Sequence, residues 1–163
     1  MKQLQHYPAH IQSQVQKLIE TKTLGKYLLS KYPAAHTITN DKLLYNYVTT
    51  LKNSYYKKYT INKIIYDSKI NVIDNALGLH TFISRVQGNK LKSKNEIRIA
   101  TLFKKTPLAF LEMIVVHELA HLKEKEHNKA FYNLCTYQQP DYHQIELDLR
   151  LYLIHCERFG KLY

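Results

Sequence analysis

The stretch Met113-Ile114-Val115-Val116-His117-Glu118-Leu119-Ala120-His121, residues 113–121, decides the reading of this chain. Four apolar residues in a row lead into two histidines spaced four apart. On an α-helix, positions i and i+4 lie on one face, one turn apart, so both imidazoles can reach a single metal ion. Zinc takes nitrogen ligands at about 2.0–2.1 Å in tetrahedral geometry. Glu118 stands beside the first histidine but is rotated from it. A carboxylate there can take a proton from a metal-bound water without competing for the metal. One turn and a half therefore supplies two ligands, His117 and His121, and a general base, Glu118. The apolar run argues for a helix buried against a sheet, which a surface pair of histidines would not need.

A catalytic zinc usually takes three protein ligands and keeps one position open. Downstream, His127 follows His121 by six residues, past the charged stretch Lys123-Glu124-Lys125-Glu126. For His127 to converge with the pair, the chain must leave the helix and turn back. Glu124 and Glu126 are rival third ligands. The metzincins use the same interval, with a glycine at the bend and a later methionine. Here Glu124 holds the glycine's place, and Met1 and Met113 are the only methionines, so this is not a metzincin.

Working outward, Pro107 opens the helix that carries the motif, expected over about 108–125. Another helix starts near Asn128 and ends before Pro140. Asp141 is placed to cap a last one, with Ile145, Leu149, Tyr152 and Leu153 on one side. Upstream lie short segments rich in β-branched and aromatic residues: Ile61 to Tyr66, Ile70 to Ile73, Thr81 to Val86 and Glu96 to Phe103. Asp67-Ser68 reads as a turn between the first two, and Gly88-Asn89 as part of a hairpin loop between the last two. Nearer the N-terminus, Ile11 to Tyr32 reads as helical, broken near Gly25 and ended by Pro33. Asn40 is a candidate N-cap for a helix striped by Leu43, Leu44, Tyr47, Val48 and Leu51. The order is helices, sheet, helices, which predicts one α+β domain over 1–163. Its N-terminal helical part covers about 1–58, a small, mainly antiparallel sheet about 60–104, and a catalytic helical part about 107–163.

The whole chain is 163 residues long, enough for one hydrophobic core. It carries 24 Lys and Arg against 13 Asp and Glu, a formal charge of +11. That balance favours acidic partners, nucleic acid among them, although a scattered solvated surface would show the same sum. Cys135 and Cys156 sit in helical, apolar surroundings and read as reduced thiols, which points to a cytoplasmic protein. No apolar stretch is long enough to span a membrane, and residues 1–10 show no secretory signal. Nothing in the sequence sets an oligomeric state.

The segment His117-Glu118-Leu119-Ala120-His121-Leu122, with His127-Asn128-Lys129-Ala130-Phe131 after it, resembles the YgjP-like metallopeptidases, a family related to the WLM and SprT-like zincins. The likeness extends to residues 81–103 and to Pro140-Asp141-Tyr142-His143. It implies a zincin-like fold, zinc held by three histidines that fall on His117, His121 and His127, and Glu118 as the base. Broader relatives carry an Arg-Trp-Gly-Ser-Cys segment where this chain has Ser84-Arg85-Val86-Gln87-Gly88, so only the arginine matches. The SprT-like relatives act on proteins crosslinked to DNA, a role with which the positive charge is compatible.

The expectation is a zinc metallopeptidase in which Glu118 activates a zinc-bound water to attack a protein or peptide substrate. Two alternatives stand beside it. One is a nucleic-acid-associated protein with a zinc site, including a protease acting on DNA-bound proteins. The other is a metal-dependent hydrolase of a non-peptide substrate. Arg85, Tyr142 and His143 are candidate stabilisers of the developing oxyanion. Phe131 reads as packing that fixes the returning turn. His6, His10, His36, His80 and His155 have no companion at ligand spacing.

Overall fold

The computed structural model describes residues 1–70, 84–89 and 94–163. Of 84–89 and Lys94 only the backbone is considered. The centre of the molecule is a helix spanning Leu108–Ala120, in which Phe110, Leu111 and every residue from Met113 to Ala120 are buried. A helix that is apolar around its whole circumference has no face to offer to water and has to be enclosed. The two helices that follow it, two strands of the sheet and the 3₁₀ turn before it pack directly on it. In chain order the helices are α1 (Ala9–Glu20), α2 (Leu24–Lys31), α3 (Asp41–Tyr55), the central α4 (Leu108–Ala120), α5 (Lys129–Gln138) and α6 (Tyr142–Phe159). The strands are β1 (Lys63–Asp67), β2 (Ser84–Asn89) and β3 (Lys94–Ala100), and a 3₁₀ turn at Thr101–Lys105 leads from β3 toward α4. Among the described residues, no helix is long and apolar enough to cross a membrane.

The sheet corrects the expectation of a mainly antiparallel arrangement. Strand order is β1-β3-β2, with β1 parallel to β3 and β2 antiparallel to β3. A parallel pair needs a long connection, and the chain between β1 and β3 has room for one because β2 falls within it. Ile64 lies opposite Ile97 and Tyr66 opposite Ile99, and all four are buried on the core side. The turn after β1 forms as expected, since the Asp67 carboxylate accepts the Lys69 N–H at 2.8 Å. Ile70 is not in a strand, and the rest of the expected strand from Ile70 to Ile73 lies outside the described residues. Gly88 and Asn89 are not loop residues: they pair with Asn95 and Lys94 within the ladder. The last expected strand stops at Ala100, three residues short of Phe103.

Two helix boundaries also move. The first helical stretch breaks at residues 21–23, where Lys22 takes φ +57°, not at Gly25. The Thr21 hydroxyl lies 2.8 Å from both the Lys17 carbonyl and the Thr23 hydroxyl, a local polar alternative to continuing the helix. Gly25 lies inside α2 for a packing reason: a Cβ there would come 2.8 Å from His155 Nε2. Helix α4 ends at Ala120, not near Lys125. The Leu122, Lys123 and Glu124 N–H groups close tight turns onto Leu119 and Ala120 carbonyls, which sends the chain back. Asn40 caps α3 as expected, its Oδ1 accepting the Leu43 N–H at 2.9 Å. Asp141 precedes α6 but its side chain makes no capping bond.

Candidate metal centre

His117 comes from the last turn of α4 and is 1% exposed. His121 is the residue on which that helix ends. His127 lies in the returning turn, one residue before Asn128, whose Oδ1 accepts the Phe131 N–H at 2.9 Å and starts α5. The early end of α4 and this cap together make the bend that brings the third histidine back. Phe131, fully buried one turn into α5, fills the space beneath, with its ring centroid 5.0, 4.6 and 4.8 Å from those of His117, His121 and His127.

The three imidazoles offer ligand atoms that all lie within 4.8 Å of one another, and His117 Nε2 is 3.4 Å from His127 Nε2. Nitrogens at two corners of a tetrahedron with metal bonds of roughly 2.0–2.1 Å stand about 3.3–3.4 Å apart, so the spacing suits a shared cation. Orientation agrees. His121 Nδ1 is 3.0 Å from the Glu124 carbonyl oxygen, which can only accept, so this Nδ1 carries the proton and leaves Nε2 its lone pair. His117 Nδ1 is 2.8 Å from the Tyr142 hydroxyl. Burial pushes the Tyr142 hydroxyl well above its ordinary pKa, so it stays neutral. Cys135 is among the groups acting on it, and its own thiol is pushed up to about 12 by burial. A neutral hydroxyl there can accept from His117 Nδ1–H. Glu118 is 1% exposed, with Oε1 3.8 Å from His117 Nε2, beside the histidines and not among the converging ligand atoms.

Of the other singled-out residues, Glu124 contributes its backbone carbonyl to the site, and neither its carboxylate nor that of Glu126 joins the histidine group. Tyr142 meets the ring nitrogen of His117 opposite the one turned toward His127. His143 is exposed on α6, its ring centroid 5.4 Å from those of Tyr132 and Tyr142, and is not brought to the histidine group. Arg85 lies in β2 opposite Arg98, and its side chain lies outside the description. His36 and His155 bond to backbone, His36 Nε2 to the Phe103 carbonyl at 2.6 Å and His155 Nδ1 to that of Gly160 at 2.8 Å. Sequence reasoning missed Cys135 behind Tyr142 and the Glu124 carbonyl behind His121. A buried thiol carries no spacing signal, and a backbone oxygen carries no residue-type signal at all.

Comparison with known proteins agrees with this geometry. The chain is 57% identical over 151 residues to a protein of Escherichia coli (strain K12) named UTP pyrophosphatase, covering 92% of this chain and 90% of that one. No solved structure matches it. Residues 58–152, which include all three histidines and Glu118, match the YgjP-like metallopeptidase domain. With a histidine group able to hold a metal ion on a fold of helices around a small sheet, the chain is a metal-dependent hydrolase and belongs to the YgjP-like family.

Proposed function

We propose that this chain hydrolyses a nucleoside triphosphate of the UTP class between its α- and β-phosphorus atoms, and that the ion it uses is zinc, held by His117, His121 and His127. The observation that carries the substrate class is the 57% identity to a UTP pyrophosphatase across 92% of the chain. Three neutral imidazoles are a donor set that suits zinc. When bound, such an ion supplies Lewis acidity toward a phosphoryl oxygen and lowers the pKa of water. The peptide-hydrolysis expectation gives way here to the non-peptide alternative. The motif and the family name fit either, whereas the similar protein is named for a nucleotide.

The chain's own residues do the following. Glu118 takes the proton of the attacking water on a carboxylate oxygen. The water oxygen forms a bond to the α-phosphorus, the bond from that phosphorus to the bridging oxygen breaks, and pyrophosphate leaves with the electron pair. The products are a nucleoside monophosphate and pyrophosphate. Tyr142 and the Glu124 carbonyl hold the rings of His117 and His121 in register from behind, a positioning role. Arg85 stays a candidate for contact with the departing charge, whereas His143, which is not brought to the histidine group, does not. The formal charge of +11 supports a polyanionic substrate.

The test is to incubate metal-loaded protein with UTP in ¹⁸O-water and read the products by phosphorus NMR. UMP carrying the label, with unlabelled pyrophosphate, is the expected result. Glu118→Gln should retain the ion and lose about 10²–10⁴-fold in turnover. Intact UTP beside a cleaved peptide pool would overturn the reading in favour of a peptidase.

A further inference from the structure

At the far end of α5 from the histidines, two tyrosines stand in the open. Tyr137 is 77% exposed and Tyr55, at the end of α3, is 42% exposed. Their rings meet edge to face, with centroids 6.0 Å apart and planes at 88°. Each is the chain neighbour of a residue that locks the two helix ends together. Tyr56, next to Tyr55, is 4% exposed, and its hydroxyl accepts from the side-chain amide of Gln138, next to Tyr137, at 2.5 Å. The exposed pair is thus mounted on a fixed junction and not on a loose loop. Aromatic rings held out in water at a rigid site lose little freedom when something stacks on them.

The chain on either side of the two tyrosines is basic. The segments that carry the two tyrosines, residues 42–66 and 127–140, contain six lysines and no aspartate or glutamate. Lys57 and Lys58 directly follow the locked Tyr56 and are exposed. Asp41, Asp67, Glu126 and Asp141 bound these segments at their outer ends. Exposed aromatic faces with exposed lysines close by in the chain match the chemistry of a single nucleic-acid strand, whose bases stack and whose phosphates seek cations. A duplex, with its bases already stacked inward, offers only the second of these.

We propose that Tyr55, Tyr137, Lys57 and Lys58 form a docking platform for single-stranded nucleic acid. It is separate from the metal centre. Tyr137 is eight residues beyond Lys129, where α5 leaves the histidine turn, about 12 Å along the axis of that helix. The proposal does not depend on what the metal centre hydrolyses.

Fluorescence anisotropy tests it with a labelled oligothymidylate and oligouridylate about twelve nucleotides long, and with a duplex of equal length. The wild-type full chain should bind the single strands more tightly than the duplex. Tyr55→Ala with Tyr137→Ala should weaken single-strand binding about tenfold or more and leave duplex binding and UTP turnover unchanged. Lys57→Gln with Lys58→Gln should flatten the slope of log affinity on log salt by about 1.4, the share of two phosphates. Glu118→Gln should bind as the wild type does, which keeps this result independent of the hydrolysis. Duplex bound as tightly as single strand, tyrosine variants that bind normally, or no binding at about 50 mM salt would each overturn the platform.

Discussion

Two buried polar clusters in this protein are built on opposite plans. Around Asp148, fully buried on α6, donors surround an acceptor. Oδ1 takes the Tyr27 hydroxyl at 3.1 Å and the Gln144 amide at 3.2 Å, while Oδ2 takes Lys31 Nζ at 2.7 Å and the Tyr32 hydroxyl at 2.6 Å. Each oxygen has two donors and the charge has a counter-ion, so the cluster is closed and ties α2 to α6. In the histidine group, ring nitrogens on three imidazoles lie close to one another, the carbonyl behind His121 takes its Nδ1–H, and the hydroxyl behind His117 can do the same for that ring. Acceptors that converge in this way are arranged for a cation. Burial and polarity alone do not separate structure from function here; the direction in which the lone pairs point does.

The comparison can be broken from either side. The largest effect should come from His127→Ala, which removes a ligand and should cost the protein more than about 100-fold in metal affinity, beyond the 10–100-fold typical of a supporting residue. Its melting temperature without metal should stay near that of the wild type. Elemental analysis and calorimetry read the two halves, and an unchanged metal content would take His127 out of the site. Asp148→Ala should do the reverse, costing about 3 kcal/mol of stability by stranding two hydroxyls and Lys31, with metal stoichiometry unchanged in the folded fraction. Loss of the ion together with the carboxylate would erase the distinction drawn above.

Smaller effects sharpen it. Tyr142→Phe should weaken metal binding about 10–100-fold in chelator competition, with little change in the fold, because the ring that fills the core remains. An affinity equal to wild type would reduce Tyr142 to packing. Last, Asp67 closes the turn after β1. Its carboxyl is held below the ordinary range first by the Lys69 N–H and then by the Arg98 guanidinium, whose Nη1 lies 3.2 Å away. A depressed folded pKa means stability that is present above the unfolded value and lost as pH falls through the folded one. Asp67→Asn should therefore cost about 1 kcal/mol at neutral pH and nothing at a pH where the wild-type carboxyl is protonated. A denaturation series against pH reads that convergence.

What was legible in the sequence was whatever acts within one element. The spacing of His117 and His121, the apolar run ahead of them and the Asn40 cap are helix-period facts, and each has its counterpart in the structure. Asn128 was read as a helix start for the same reason. What was not legible depends on partners distant along the chain. The parallel pairing of β1 with β3 is set by which edge of the β2–β3 ladder β1 can reach. Tyr142 could be placed near the motif because α6 had to pack there, but whether its hydroxyl faced the ion or the back of a ligand depended on the register of α6 against α4. The early end of α4 was hidden too, because residues 122–126 favour a helix and only the turn seen in the structure stops it.

All three histidines and the phenylalanine beneath them lie within residues 117–131, on two helix ends and the bend between them. An ion held there would close a ring of eleven residues, from His117 through His127. So short a ring fastens one corner of the molecule and leaves the sheet and the N-terminal helices outside its tether. An ion held there would therefore be a local clasp. A damaged chain whose corner survives can still carry a full complement of metal, and metal content alone is a poor certificate that the rest of the protein is folded.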